Sequence, residues 1–130
     1  MGYFFEIIYS LGLEFNKNKS YLQQHIDYLL EFIMPHVSVS TTEAARLAKR
    51  LTNHFRHKVE VTETDTGYLV KMAGADVILS PKDDELYIEY TRNTATDNPE
   101  RPYDEGRLRH VITDHLDRMA NQNFVYDWQD

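Results

Sequence analysis

The 130-residue sequence contains no cysteine. That alone excludes disulfides, thiolate zinc sites, iron–sulfur ligation and cysteine nucleophiles. Glycine and proline are sparse, at five and four residues. No Gly-x-Gly or Gly-Lys-Ser/Thr pattern occurs, so neither of the glycine-rich phosphate loops is present. No Gly-x-Ser-x-Gly elbow occurs either, which removes a serine hydrolase of that type. No apolar run approaches the roughly 20 residues of a membrane span, so no membrane partner is expected. The apolar opening (Phe4, Phe5, Ile7, Ile8) is interrupted by Glu6 and lacks a positive flank. It does not read as a signal peptide, and a cytoplasmic protein is expected. Basic residues are the minority, 14 Lys and Arg against 21 Asp and Glu, for a net charge of −7. An acidic surface repels phosphate backbones, so nucleic acid is not an expected partner.

What is present, 42% hydrophobic and 27% charged residues, suits one ordinary globular domain. The hydropathy pattern divides the chain into an N-terminal extension, 1–33, and a single α+β domain, 34–130. In the extension, Tyr21, Leu22, His25, Ile26, Leu29, Leu30 and Ile33 recur at helical spacing. Ser20 can cap that amphipathic helix and Pro35 ends it. Its apolar face needs a partner, either the domain or a second protomer of a homodimer.

The domain opens with alternating Val37 and Val39, a short strand over 36–40. Ser40 and Glu43 read as a capping box for a helix running to about His57, with Ala44, Leu47, Ala48, Leu51 and Phe55 as its apolar stripe. Four strands follow, separated by Asp65-Thr66-Gly67, Ala73-Gly74 and Ser80-Pro81-Lys82-Asp83. Connections this short predict an antiparallel meander. Residues 91–103 read as a polar loop and Asp104 to Asn121 as a second amphipathic helix, with Leu108, Val111, Ile112, His115, Leu116 and Met119 on one face. Phe124 to Trp128 reads as a short last strand. The predicted order is β-α-β-β-β-β-α-β, an α+β meander with two helices on one sheet face plus an extra N-terminal helix.

Six histidines are the chemically suggestive feature. His54 and His57 stand three apart on the first domain helix, and His115 sits within the apolar stripe of the second. If both helices cover the same sheet face, these rings approach one seam, where His54, His57 and His115 would bind a divalent metal or a haem iron. The plainer reading makes His115 a core histidine that donates to a backbone carbonyl. Carboxylates form no recognisable acid/base pair: Asp83-Asp84-Glu85 reads as a solvated turn and Asp104-Glu105 as complements to a helix dipole.

Residues Leu51-Thr52-Asn53-His54-Phe55-Arg56-His57-Lys58, then His115-Leu116-Asp117-Arg118-Met119-Ala120 and Trp128, carry a resemblance. In this order they resemble a family of small bacterial proteins known as domain of unknown function 2218, over about 36–130. Met119 stands where that family usually has Phe, and Asn121-Gln122 replaces an Arg-Glu pair. The resemblance implies a TATA-binding-protein-like arrangement of two helices on an antiparallel sheet. It also implies an association with siderophore-interacting flavoproteins, one of which is then an expected partner. The combined expectation is a small non-enzymatic accessory protein of iron or siderophore metabolism. It would bind a ligand at His54, His57, Lys58 and His115, with Lys58 attracting a carboxylate or catecholate and the cofactor, if any, left open. The alternative is a structural or dimerisation module whose histidines belong to the core.

Overall fold

A computed structural model describes residues 20–26 and 34–130. Residues 21–26 are helical, and Ser20 Oγ accepts from the Gln23 amide at 3.1 Å, as expected of an N-cap. The remainder of the helix expected over 20–33 lies outside the described residues. The chain divides between Met34 and Pro35 into two compact units, the second of which spans Pro35–Asp130. Among the described residues, no helix is long and apolar enough to cross a membrane.

The unit is α+β, as its pattern predicts. Five antiparallel strands, β1 (His36–Ser40), β2 (Glu60–Thr64), β3 (Gly67–Met72), β4 (Ala75–Pro81) and β5 (Glu85–Arg92), form one sheet in the order β1-β5-β4-β3-β2. The four consecutive strands form the expected meander, and β1 joins it along β5, pairing Val37 with Ile88 and Val39 with Leu86. Period-two alternation sends one row inward: Val37, Val39, Val70, Val77, Leu79, Leu86, Ile88 and Tyr90 are all buried.

Two helices, α1 (Ala44–Phe55) and α2 (Glu105–Ala120), cover that row. From α1 come Ala44, Leu47, Ala48, Leu51 and Phe55, and from α2 come Leu108, Ile112 and Leu116, spaced at i, i+4, i+8. Thr52 is also fully buried, and its hydroxyl is satisfied by the Ala48 carbonyl at 2.9 Å. The helices run antiparallel: Arg50 reaches the Met119 carbonyl at 2.9 Å, and one turn on, the His54 ring meets the His115 ring.

Three local expectations are corrected. Ser40 is not the N-cap of α1, because it ends β1 in register with Glu85. Instead Glu43 occupies the cap position without a side-chain capping bond, and Thr41 Oγ1 accepts from the Glu43 amide at 3.0 Å. Helix α1 ends at Phe55, so His57 is not helical. Phe124 to Trp128 is not a strand. The one bridge near it among the described residues, His36 to Gln129, lies just beyond it. The segment is held by side chains: Asp117 Oδ1 accepts from the Phe124 amide at 3.1 Å and from the Tyr126 hydroxyl at 2.9 Å. Arg109 lies over the Trp128 ring at 4.9 Å, donates to the Tyr90 hydroxyl at 2.8 Å and ion-pairs with Asp130. Asp117 is therefore an anchor for the C-terminal segment.

Candidate functional site

A cleft opens where α1 runs out and α2 begins. Beyond Phe55 the chain turns tightly, with the Lys58 and Val59 amides both donating to the Phe55 carbonyl at 2.9 Å. This sets Lys58 and Val59 on one side of a cleft of about 590 Å³. The β3–β4 turn (Met72, Ala73) forms its second side, and residues 98–108 its third.

One guanidinium holds the third side in place. Arg92, at the end of β5, pairs with Asp97 through two bonds of 2.6 and 3.0 Å, donates to the Gly74 carbonyl at 2.7 Å and stacks on Tyr103 at 4.4 Å. It thereby ties the β3–β4 turn to both ends of the loop leading into α2, and its hydrogen bond holds the Asp97 carboxyl below its usual range. Gly74 makes this closure possible. Its φ is 80°, and a Cβ there would lie 2.8 Å from Arg92 Nη1 and 3.0 Å from Tyr103 Cβ. Farther along, Asn98 Oδ1 accepts from the Glu100 amide, and Asp104 caps α2 by accepting from the Arg107 amide, both at 2.9 Å.

Three cations from three segments line the cleft: Lys58, Arg101 and Arg107. Among the described residues none of them has a carboxylate within ion-pair distance, whereas Arg46, Arg92, Arg109 and Arg118 each do. Glu100 and Asp104 also contribute to the lining. The wall is otherwise apolar or aromatic, from Val59, Met72, Leu108 and Tyr103. Burial, with Glu105 nearby, pushes the Tyr103 phenol above its ordinary range, so it stays a neutral donor. An apolar cleft with a few convergent charges is the usual character of a small-ligand site, and here three cations outnumber the two carboxylates.

Of the four residues singled out in the sequence, only Lys58 lines this cleft. His54 and His115 come together, with ring centroids 4.8 Å apart, and His115 also packs on Phe55 at 5.4 Å. His115 Nδ1 donates to the Val111 carbonyl at 2.6 Å, as the core reading requires. His57 is exposed in the turn beyond α1. Among the described residues no group of three His, Asp or Glu side chains is placed to hold a metal ion, so the His54/His57/His115 set is not assembled. The physical reason is the early end of α1, which removes the i, i+3 helical relation of His54 and His57 and leaves His57 in the exposed turn. Arg92, Arg101, Tyr103 and Arg107 were not singled out. The sequence signal that points to three of them is the basic–aromatic run from Arg101 to Arg107 inside a segment read only as loop and helix start.

No functionally curated protein matches the sequence. The chain is similar to the protein in the NMR structure of PA4090 from Pseudomonas aeruginosa, with 30% identity and a TM-score of 0.54 over 74% of this chain and 94% of that one. A family model described as "Uncharacterized protein conserved in bacteria (DUF2218)" matches residues 36–129, which takes in the sheet, both helices, the cleft and the anchored C-terminal segment. By that match the chain belongs to the DUF2218 family of bacterial proteins.

Proposed function

We propose that this domain is a ligand-binding module, not an enzyme, and that its cleft takes a small anionic ligand bearing carboxylate or catecholate groups. The observation that carries this reading is the convergence of Lys58, Arg101 and Arg107, without ion-pair partners, on an apolar-walled cleft in a chain of net charge −7. Unpaired cations gathered against the sign of the whole molecule are well suited to an anion, because each charge-assisted hydrogen bond is worth about 1.5–3 kcal/mol. Of the two carboxylates in the lining, Asp104 is engaged in capping α2, which leaves no pair for acid and base roles. A siderophore fragment is the specific ligand class we favour, with a cytoplasmic siderophore-interacting flavoprotein as partner. That part rests on the family resemblance.

Titration calorimetry with 2,3-dihydroxybenzoate and with citrate tests the proposal. One of the two is expected to bind the native protein and to bind at least about tenfold more weakly after Arg107→Ala, the equivalent of one lost charge-assisted bond. His57→Ala should leave binding unchanged. Absence of binding by both probes, or equal binding by Arg107→Ala, contradicts the proposal.

The structural-module alternative draws support from His115, whose ring is packed and satisfied within the helix layer. On that reading neither probe binds, and light scattering reports a dimer.

A further inference from the structure

The helix layer carries a charge asymmetry that extends beyond the cleft, sharing only Lys58 with it. Residues 44–58 hold five cations, Arg46, Lys49, Arg50, Arg56 and Lys58, and no carboxylate. With −7 on the whole chain and +5 on this stretch, the remaining residues carry −12. The two helices differ sharply. In α2 three Arg are balanced by three carboxylates, and Arg118 and Arg109 pair with Asp114 and Glu105 on their own helix at 3.1 and 3.7 Å. On α1, Arg46 pairs with Glu43 and Arg50 donates to a backbone carbonyl. Lys49 and Arg56 have no carboxylate within ion-pair distance among the described residues.

The geometry makes this a surface. Arg46, Lys49, Arg50, Asn53 and Arg56 are all exposed and advance by three or four residues, so they line one stripe of α1 opposite its buried stripe of Leu47, Leu51 and Phe55. Such a stripe is repulsive to itself, and within its helix and cap only Glu43, paired with Arg46, offsets it. We infer that the exposed face of α1 is a docking surface for an acidic segment of a partner protein. Size decides against nucleic acid: α1 has 12 residues and spans about 18 Å, the length of only about five base pairs. A longer phosphate backbone would outrun the stripe, and the rest of the chain carries a net −12. A membrane is disfavoured in the same way, and the stripe presents no large apolar side chain to enter a bilayer. A short acidic segment matches the stripe in sign and length, with Glu43 beside Arg46 as a carboxylate within ion-pair distance of the stripe.

The test uses the full-length protein and a fluorescent Glu-rich peptide of about 12 residues, long enough to follow one helix of this size. Anisotropy is expected to show binding that weakens steeply between low and physiological salt, as exposed charge pairs do. Lys49→Glu/Arg56→Glu is expected to reduce affinity at least about tenfold, and Lys49→Gln/Arg56→Gln to do so by a smaller factor without adding repulsion. Either pair serves, provided its thermal melt matches that of the native protein. Arg107→Ala, in the cleft, should leave peptide binding unchanged, which separates this surface from the proposed ligand site. The inference is overturned if the peptide does not bind at low salt, if both double variants bind it as the native protein does, or if a duplex DNA or phosphatidylserine vesicles bind more tightly than the peptide.

Discussion

The His54 and His115 rings meet at a tilt of 47°, yet they are not equivalent. His115 is half-buried, gives a hydrogen bond to Val111 and touches Phe55, whereas His54 is exposed. His115→Ala should therefore lower stability by about 1–3 kcal/mol and His54→Ala by less than about 0.5 kcal/mol, measured by chemical denaturation. Equal effects would show that the pair acts as a unit. At Gly74 the backbone, not a contact, is at stake. Alanine there meets both a positive φ and the Arg92–Tyr103 closure, so Gly74→Ala should destabilise by about 1–3 kcal/mol, and an unchanged midpoint would refute the closure. Two tyrosines set a pH dependence. Burial is the main cause raising the phenols of Tyr90 and Tyr126 above their ordinary value of 10.0, with Glu105 adding at Tyr90, where Arg109 opposes it, and Asp117 adding at Tyr126. A raised folded-state value means the fold prefers the neutral phenol. Its contribution is complete below about pH 10 and is lost as pH rises further. Denaturant midpoints should fall above about pH 10, and Tyr126→Phe should flatten that fall. At this scale much was legible. The apolar positions Leu51, Phe55, Ile112 and Leu116 are in the core, and the reading of His115 as a packed donor agrees with its bond. The clamp by Arg92 was not legible, because its partners Gly74, Asp97 and Tyr103 are distant in sequence or hidden in a polar loop.

The strands β2 to β5 and both helices follow from periodicity, since each shows the alternation or the 3.6-residue stripe that burial on one face imposes. Where the reading of elements failed, local pattern met a competing partner. Ser40 has the sequence of a cap but spends its backbone in the β1–β5 pairing. Phe124, Tyr126 and Trp128 alternate like a strand, yet their segment is fixed by side-chain anchors on α2 and β5, which no alternation encodes. Arg109 is the centre of that anchoring, touching Tyr90, Trp128, Glu105 and Asp130. Trp128 is the sole tryptophan, so its emission reports the anchor directly. Arg109→Ala should shift that emission to longer wavelength as the indole gains water, while the far-ultraviolet circular dichroism of sheet and helices stays the same. An unshifted spectrum would mean that the C-terminal segment is held by Asp117 alone.

For the whole molecule, the family match begins at residue 36 and the contact division falls at Met34-Pro35. We therefore expect residues 35–130 to melt cooperatively on their own, with any drop in melting temperature relative to the full chain measuring what the N-terminal segment adds. A non-cooperative melt would show that the domain boundary is drawn wrongly. The cleft exists only at this scale: the turn at Lys58, the β3–β4 turn and the start of α2 meet because two antiparallel helices lie across one sheet. Sequence inspection could reach Lys58 by its neighbourhood to the histidines but had no means of bringing it to Arg101 and Arg107. The central claim is that these three cations form one anion site, and amide chemical-shift mapping of the full-length protein with 2,3-dihydroxybenzoate and citrate tests it most directly. The account predicts saturable shifts concentrated at Lys58, Ala73 and residues 98–108, abolished by Arg107→Ala. Shifts centred on His54, His57 and His115, or none at all, would contradict it.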